Sequence, residues 1–322
     1  MNQDYITPDP WSIIETGFDA SRVKSSESLF SLGNGAMGQR ANFEEDYSGP
    51  TFQGSYIGGV YYPDKTRVGW WKNGYPEYFA KVINAPSWIG IRVAIDGEAL
   101  DLNQCREVRD FRREFNMKEG WYRRTFEAVL QNGKTVRVEA LRFLSMARDE
   151  LGAIRYSLTL TGEGGGVEGM PYLDSGIENE DSNWDDQFWE TTGIHSRGSR
   201  AFIEAHTLKT RFHTCTFMDA RLTLGGEAVD QEPERTQADT FAGHLYKLQV
   251  QADTPLVLYK YGGYTVDTNH DADKLVAASE SVLDAAVKSG FDVLLEEQAR
   301  AWSDIWEMSD IAIAGDVKAQ QG

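Results

Sequence analysis

Alternating apolar and polar residues that break at an Asp-Gly pair and resume beyond it leave little choice of local fold. Ile89, Ile91, Val93 and Ile95 alternate with Gly90, Arg92 and Ala94, and Asp96-Gly97 then leads into Glu98–Leu102. Asp-Gly and Asn-Gly pairs suit the two-residue turns whose twist matches that of the flanking strands. A second hairpin is expected from Trp121–Leu130 through Asn132-Gly133 into Thr135–Phe143. In its return strand Val136, Val138 and Ala140 face one way while Arg137 and Glu139 face the other, so the register is set by the side that must be buried. Ile154, Tyr156, Leu158 and Leu160 continue the pattern, and further strands are expected at Ala201–Leu208, Phe212–Leu224, His244–Ala252 and Leu256–Tyr261.

Strands that follow one another through turns, with no helices between them, predict a mainly β chain built as a large antiparallel β-sandwich. Residues 1–90, rich in Gly, Asn, Pro and aromatics, read as short strands in irregular loops. After Asp271 the period changes. Leu275, Ala278, Val282 and Ala286 have helical spacing, Gly290 stands where a helix would end, and Leu295, Ala299, Trp302 and Trp306 form a second apolar stripe. The expected division is a sandwich over residues 1–270 and a short helical linker pair over residues 271–322.

Composition narrows the function. The chain of 322 residues carries 32 basic and 50 acidic side chains, a net charge of −18, and such a field repels nucleic acids and acidic membrane surfaces. No apolar run approaches the roughly 18 residues of a membrane-spanning helix, and MNQDYITPDP lacks the basic and apolar segments of a secretion signal. A secretion signal trimmed from the start would leave no trace. The two cysteines, Cys105 and Cys215, form neither a disulfide framework nor a zinc pattern, and there is no N-x-[ST] sequon, so a reducing, cytoplasmic setting is expected. Nine Trp, 14 Tyr and 15 Phe beside 31 Gly suit sheet packing, and they also suit the stacking of sugar rings.

Motifs for most chemistries fail on inspection. Gly33-Asn34-Gly35-Ala36-Met37-Gly38 matches a dinucleotide-binding pattern letter for letter, but the residues after it cannot open a helix, so a packed loop is expected. His206 and His213 could meet on adjacent strands, where ordinary strand histidines are a simpler reading than a metal site. No metal or cofactor is expected. The run from Asp174 to Glu190 mixes acids, amides and Trp rings without a strand or helix period. It reads as a solvated acidic loop pinned by Trp184 and Trp189, or as a sugar-binding loop in which acids take hydroxyls and rings stack on C–H faces.

A resemblance gathers these oddities. Glu27-Ser28-Leu29-Phe30-Ser31-Leu32-Gly33-Asn34-Gly35 with Gly38, Arg40, Glu44 and Glu45 resembles the opening signature of glycoside hydrolase family 65. Gly54–Tyr61, Asn84–Trp88, Phe111–Met117 with Gly120, and Asn179–Trp184 resemble later blocks of that family in order, and Trp302 to Gln321 resembles its junction into a catalytic barrel. Ala36-Met37 and Ala41 depart from the pattern and weaken the choice of a member. The family holds maltose, trehalose and kojibiose phosphorylases and related hydrolases, so the resemblance implies a super-sandwich and linker that precede an (α/α) barrel. It places the catalytic glutamate and the phosphate-binding residues in that barrel, with no catalytic residue in this chain. It implies as partners the barrel of the same polypeptide, a disaccharide and inorganic phosphate, and a second copy in a homodimer. Asn179, Asp181, Asn183 and Trp184 become the candidate substrate-binding residues, on a loop lent to the sugar site. A free-standing carbohydrate-binding module is the alternative, and an independently active hydrolase a weaker third.

Overall fold

The computed structural model describes residues 5–66, 76–178 and 187–321. Two antiparallel sheets dominate. The larger runs in the order Ile6–Thr7, Ser12–Thr16, Glu107–Asn116, Trp121–Val129, Thr135–Leu144, Leu151–Thr161, Leu256–Val266, His213–Leu224, Arg200–Thr207 and Trp189–Arg197, with Glu227–Ala228 beside His213–Leu224. The smaller runs Glu234–Ala238, Phe241–Val250, Gly165–Asp174, Ile91–Ile95 and Glu98–Ala99. Asp96-Gly97 makes the expected tight turn, both residues at positive φ (49° and 82°). The expected β-sandwich is therefore present, with one helix that alternation did not signal: α1, Val23–Leu29, ahead of the first large hairpin.

Burial along the strands shows how the layers stack. In Trp121–Val129 every second residue, Tyr122, Arg124, Phe126 and Ala128, is buried against the smaller sheet, as period 2 requires. Thr135–Leu144 alternates at first and is then buried on both faces from Ala140 onward, and Leu151–Thr161 begins doubly buried and then alternates. The cause is a third layer. Helix α2, Leu275–Ser289, and helix α3, Phe291–Ser309, cover one end of the outer face of the large sheet. There Leu283, Ala286, Phe291 and Leu294 pack with Phe143, Leu151 and Phe217.

The linker pair is thus part of the packed structure. In the apolar stripe of α3, Leu295 packs at the edge of the cluster under the helices and Trp302 lies over Gly120. The most buried face of the helix is Phe291, Leu294 and Gln298, one position ahead of Leu295 and Ala299. The Gln298 side-chain amide donates to Gly120 O (2.8 Å) and its oxygen accepts from Met146 N–H (2.7 Å), while Trp306 Nε1 donates to Met117 O (3.0 Å). Trp306 meets Trp11 edge-on at 5.2 Å, and a short helix α4, Val317–Gln321, returns the chain to the sandwich, where Gln321 donates to Ser12 O (2.8 Å).

Two devices hold the sheets together. Trp88 is fully buried in a notch opened by Gly152 and Gly262, where a Cβ at either position would lie 2.6 Å from the indole. The second device is ionic. Arg124 occupies an inward position of its strand and is bound by both Glu44 (2.7 Å) and Glu45, Arg142 also reaches Glu44 (3.0 Å), and Tyr156 donates to Glu45 (2.6 Å). All are buried, so each charge needs its partner to offset the loss of water.

Candidate functional site

The register brings the loops that matter to one end of the sandwich. Trp189 pairs with Thr207, His206 with His213, Thr214 with Val266, Leu151 with Gly263, Leu144 with Gly152, and Asn116 with both Trp121 and Ser12. These strand ends form one continuous row. The segment that leads into the smaller sheet joins it: Trp189 Nε1 donates to Asn84 O (2.6 Å), and Tyr264 OH donates to Pro86 O (2.6 Å). The same end carries the 33–38 turn and the turn at Gly120, and there α4 folds back onto Ser12.

Asn34 organises the centre of this end. Its amide nitrogen donates to Ser145 O and Asp149 O (2.9 Å each), and its oxygen accepts the N–H groups of Ala36 (3.1 Å) and Met37 (2.8 Å). The Gly-x-Gly run is therefore a hairpin turn between Leu32–Gly33 and Met37–Gln39, with its own side chain capping it, and no helix follows. Beside it lies a cleft of 430 Å³ lined by Asn34, Ala36, Gly58, Glu150, Tyr264 and Asn269. Glu150 is paired with His270 at 2.6 Å, which ties this cleft to the segment leading into α2.

The four candidate residues Asn179, Asp181, Asn183 and Trp184 lie outside the described residues. Their flanks are well placed. Asn84 donates to Glu178 O (3.1 Å) and to Gln53 O (3.0 Å). On the other side Phe188 packs against Tyr62 at 4.3 Å, and its carbonyl accepts from Leu208 N–H (2.9 Å). Trp189 is buried, so its ring is a wedge holding the return of the segment rather than a free platform. The role of Asn84 had no signal beyond the Asn84–Trp88 block itself.

His206 and His213 do meet, with ring centroids 5.3 Å apart, but the arrangement does not suit a metal. His206 Nε2 faces both Glu190 (3.0 Å) and the guanidinium of Arg211. Burial and the Arg211 charge hold the His206 pKa below its ordinary value. Among the described residues no group of three His, Cys, Asp or Glu side chains is arranged to hold an ion. The buried carboxylates are engaged elsewhere. Glu27 accepts from Phe52 N–H (2.8 Å) and Thr51, and burial pushes its pKa up; Asp219 binds Arg200 and Arg221 at 2.8 Å each. A general acid must reach a substrate, and these groups reach only the protein.

The fold is a β super-sandwich with a helical third layer, and its loop-bearing end carries the cleft at Asn34. The family described as glycosyl hydrolase family 65, N-terminal domain, matches residues 13–305, and the chain belongs to it. It is 39% identical to a maltose phosphorylase of Bacillus subtilis over 100% of this chain and 42% of that protein. An alpha,alpha-trehalose phosphorylase of Thermoanaerobacter brockii is 28% identical over 98% of this chain and 42% of its own length. A solved structure described as a putative kojibiose phosphorylase from human microbiome superposes with a TM-score of 0.87 at 25% identity, over 98% of this chain and 41% of that one. The chain thus spans less than half the length of these relatives. No described helix is long and apolar enough to cross a membrane.

Proposed function

We propose that this chain is the supporting domain of a disaccharide phosphorylase, with the sandwich of residues 1–270 and the helical segment 271–322 leading to a catalytic barrel in the same polypeptide. The observation that carries this reading is coverage: the whole chain aligns with a maltose phosphorylase but fills only 42% of it. The resemblance puts the catalytic glutamate in the remainder. Phosphorolysis of an α-glucosidic bond needs an acid to protonate the leaving oxygen while phosphate attacks the anomeric carbon. Maltose is the first substrate to test, because the maltose phosphorylase shares 39% identity against 28% for the trehalose enzyme.

The 179–190 segment is the part of the chain that reaches the sugar, with Asn179, Asp181, Asn183 and Trp184 as its contacts. The flanking contacts, Asn84 to Glu178 O and Trp189 to Asn84 O, lie at the end where the chain returns to Ser12 and support that placement. A homodimer completes the reading. Trp184→Ala and Asn183→Ala in the intact enzyme test the loop: a rise in KM of about tenfold is expected for a lost stacking or hydrogen-bond contact, and unchanged kinetics would remove the loop from the site.

A further inference from the structure

At the loop-bearing end three neighbouring strands set Glu190, His206 and His213 in one row, Glu190 pairing with His206 and His206 with His213. The 208–212 turn that joins the last two strands brings Arg211 back against the same imidazole. His206 is buried, so its ring meets these side chains rather than water. The groups that face it are Glu190 from the strand Trp189–Arg197, His213 from the strand His213–Leu224, and Arg211 from the turn. Asp267, just beyond the strand Leu256–Val266, is engaged by the His213 N–H (3.0 Å).

Two groups of opposite demand meet one ring nitrogen. His206 Nε2 lies 3.0 Å from Glu190 Oε2, which only accepts hydrogen bonds, and in contact with the Arg211 guanidinium, which only donates them. Nε2 satisfies Arg211 as a bare lone pair and Glu190 as an N–H, so a single proton decides between them. Nδ1 is shielded and has no hydrogen-bond partner among the described residues, so nothing on the far side of the ring fixes the tautomer. The side chains of Arg211 and Glu190 are 59% and 57% exposed, and water can take up either when its bond is lost.

The turn is built to respond. Arg211 is held at a φ of +59°, a left-handed backbone that L side chains adopt only with support from their surroundings. Arg211 N–H donates to Thr207 O (3.0 Å), and the bond from its guanidinium to His206 is the support from the side chain. The turn also reaches the strand Tyr61–Lys65, where Thr210 Oγ1 donates to Tyr61 O (2.8 Å) and Phe212 meets the Tyr61 ring edge-on at 5.3 Å. We propose that His206 is a proton switch for the 208–212 turn: when neutral, its bare Nε2 accepts from Arg211 and pins the turn, and when it takes a proton from solvent, Nε2–H donates to Glu190 and the repelled Arg211 is released. Burial and the Arg211 charge, which hold the His206 pKa below its ordinary value, make the pinned form the one present at neutral pH and the released form the one present in acid. The switch needs neither a sugar nor a barrel.

NMR of the histidine ring nitrogens of this chain, from about pH 8 down to about pH 4.5, tests it. At the upper limit His206 is expected as the tautomer with its proton on Nδ1 and a bare Nε2. On acidification it should protonate below its ordinary value, and the backbone amides of residues 210–212 should move with the same midpoint. Arg211→Asn removes the charge with a residue that tolerates positive φ, and should raise the midpoint by about half a pH unit; Glu190→Gln should lower it by about as much. Both side chains are exposed, so the fold survives either change. A proton on Nε2 at the upper limit, turn amides that do not follow the His206 titration, or a midpoint that either variant leaves in place overturns the proposal.

Discussion

The indole of Trp302 lies so close over Gly120 that a Cβ on residue 120 would fall 1.9 Å from Nε1, and Gly120 holds a φ of +67° that L side chains avoid. One glycine therefore makes both the turn after Asn116 and the seat for α3. Gly120→Ala is expected to cost about 2–3 kcal/mol in denaturant unfolding, from the left-handed backbone and the clash together. In a Trp302→Ala background the same change should cost about 1 kcal/mol, since only the backbone penalty remains. An equal cost in both backgrounds would show that α3 is not seated there.

The ion cluster between the sheets makes a second prediction. Arg124→Met strands Glu44 and Glu45 without one of their cations, and is expected to destabilise the chain by about 3–5 kcal/mol. Burial pushes the Glu44 carboxyl up, but Arg142 and Arg124 together draw it below its ordinary value. A lowered folded-state pKa gives stability that is present above the unfolded carboxylate range and is lost as pH falls through the folded value. Glu44→Gln should therefore show a shallower loss of stability on acidification than the wild type, read from melting temperature against pH. Parallel curves would contradict the assignment.

His244, fully buried in the strand Phe241–Val250, is predicted to report in a different window. Burial holds its pKa down to about 4, from an ordinary 6.5. The unfolded chain then takes up the proton first as pH falls, so stability is present above pH 6.5 and drains away down to about pH 4. The loss is about 3 kcal/mol over that window. His244→Gln should flatten the curve between those limits, and an unchanged slope would place the titration elsewhere.

Much of this fold was legible in the residues. The strand expected at Thr135–Phe143 is found at Thr135–Leu144, and Val136, Val138 and Ala140 all face the core, because a half-buried strand writes its geometry as period 2. Trp189–Arg197 was not readable as a strand: it is the last strand of the large sheet, and only its first residue is buried. Helix α3 was found but its face was displaced by one position, since the deepest residue on its second turn is Gln298, a polar side chain buried to bind backbone. The ion cluster was hidden more thoroughly. Arg124 and Glu44 are 80 residues apart, and nothing local marks either as interior. The resemblance had marked Glu44 and Glu45 as signature residues, and the structure shows that they hold the sheets together rather than line the cleft at Asn34. Asn183 and Trp184 were candidates from the sequence and lie outside the described residues; the structure describes the flanking contacts, Asn84 to Glu178 O and Trp189 to Asn84 O.

The central claim is that this chain supports a phosphorolytic barrel and does not itself cleave sugar. It is tested most directly by assaying this 322-residue chain beside the longer polypeptide that includes the barrel, on maltose, trehalose and kojibiose, with and without inorganic phosphate. The account predicts that glucose 1-phosphate appears only with the longer chain and only when phosphate is present. Cleavage of any of these sugars by the 322-residue chain alone, or equal cleavage by the longer chain without phosphate, would contradict it.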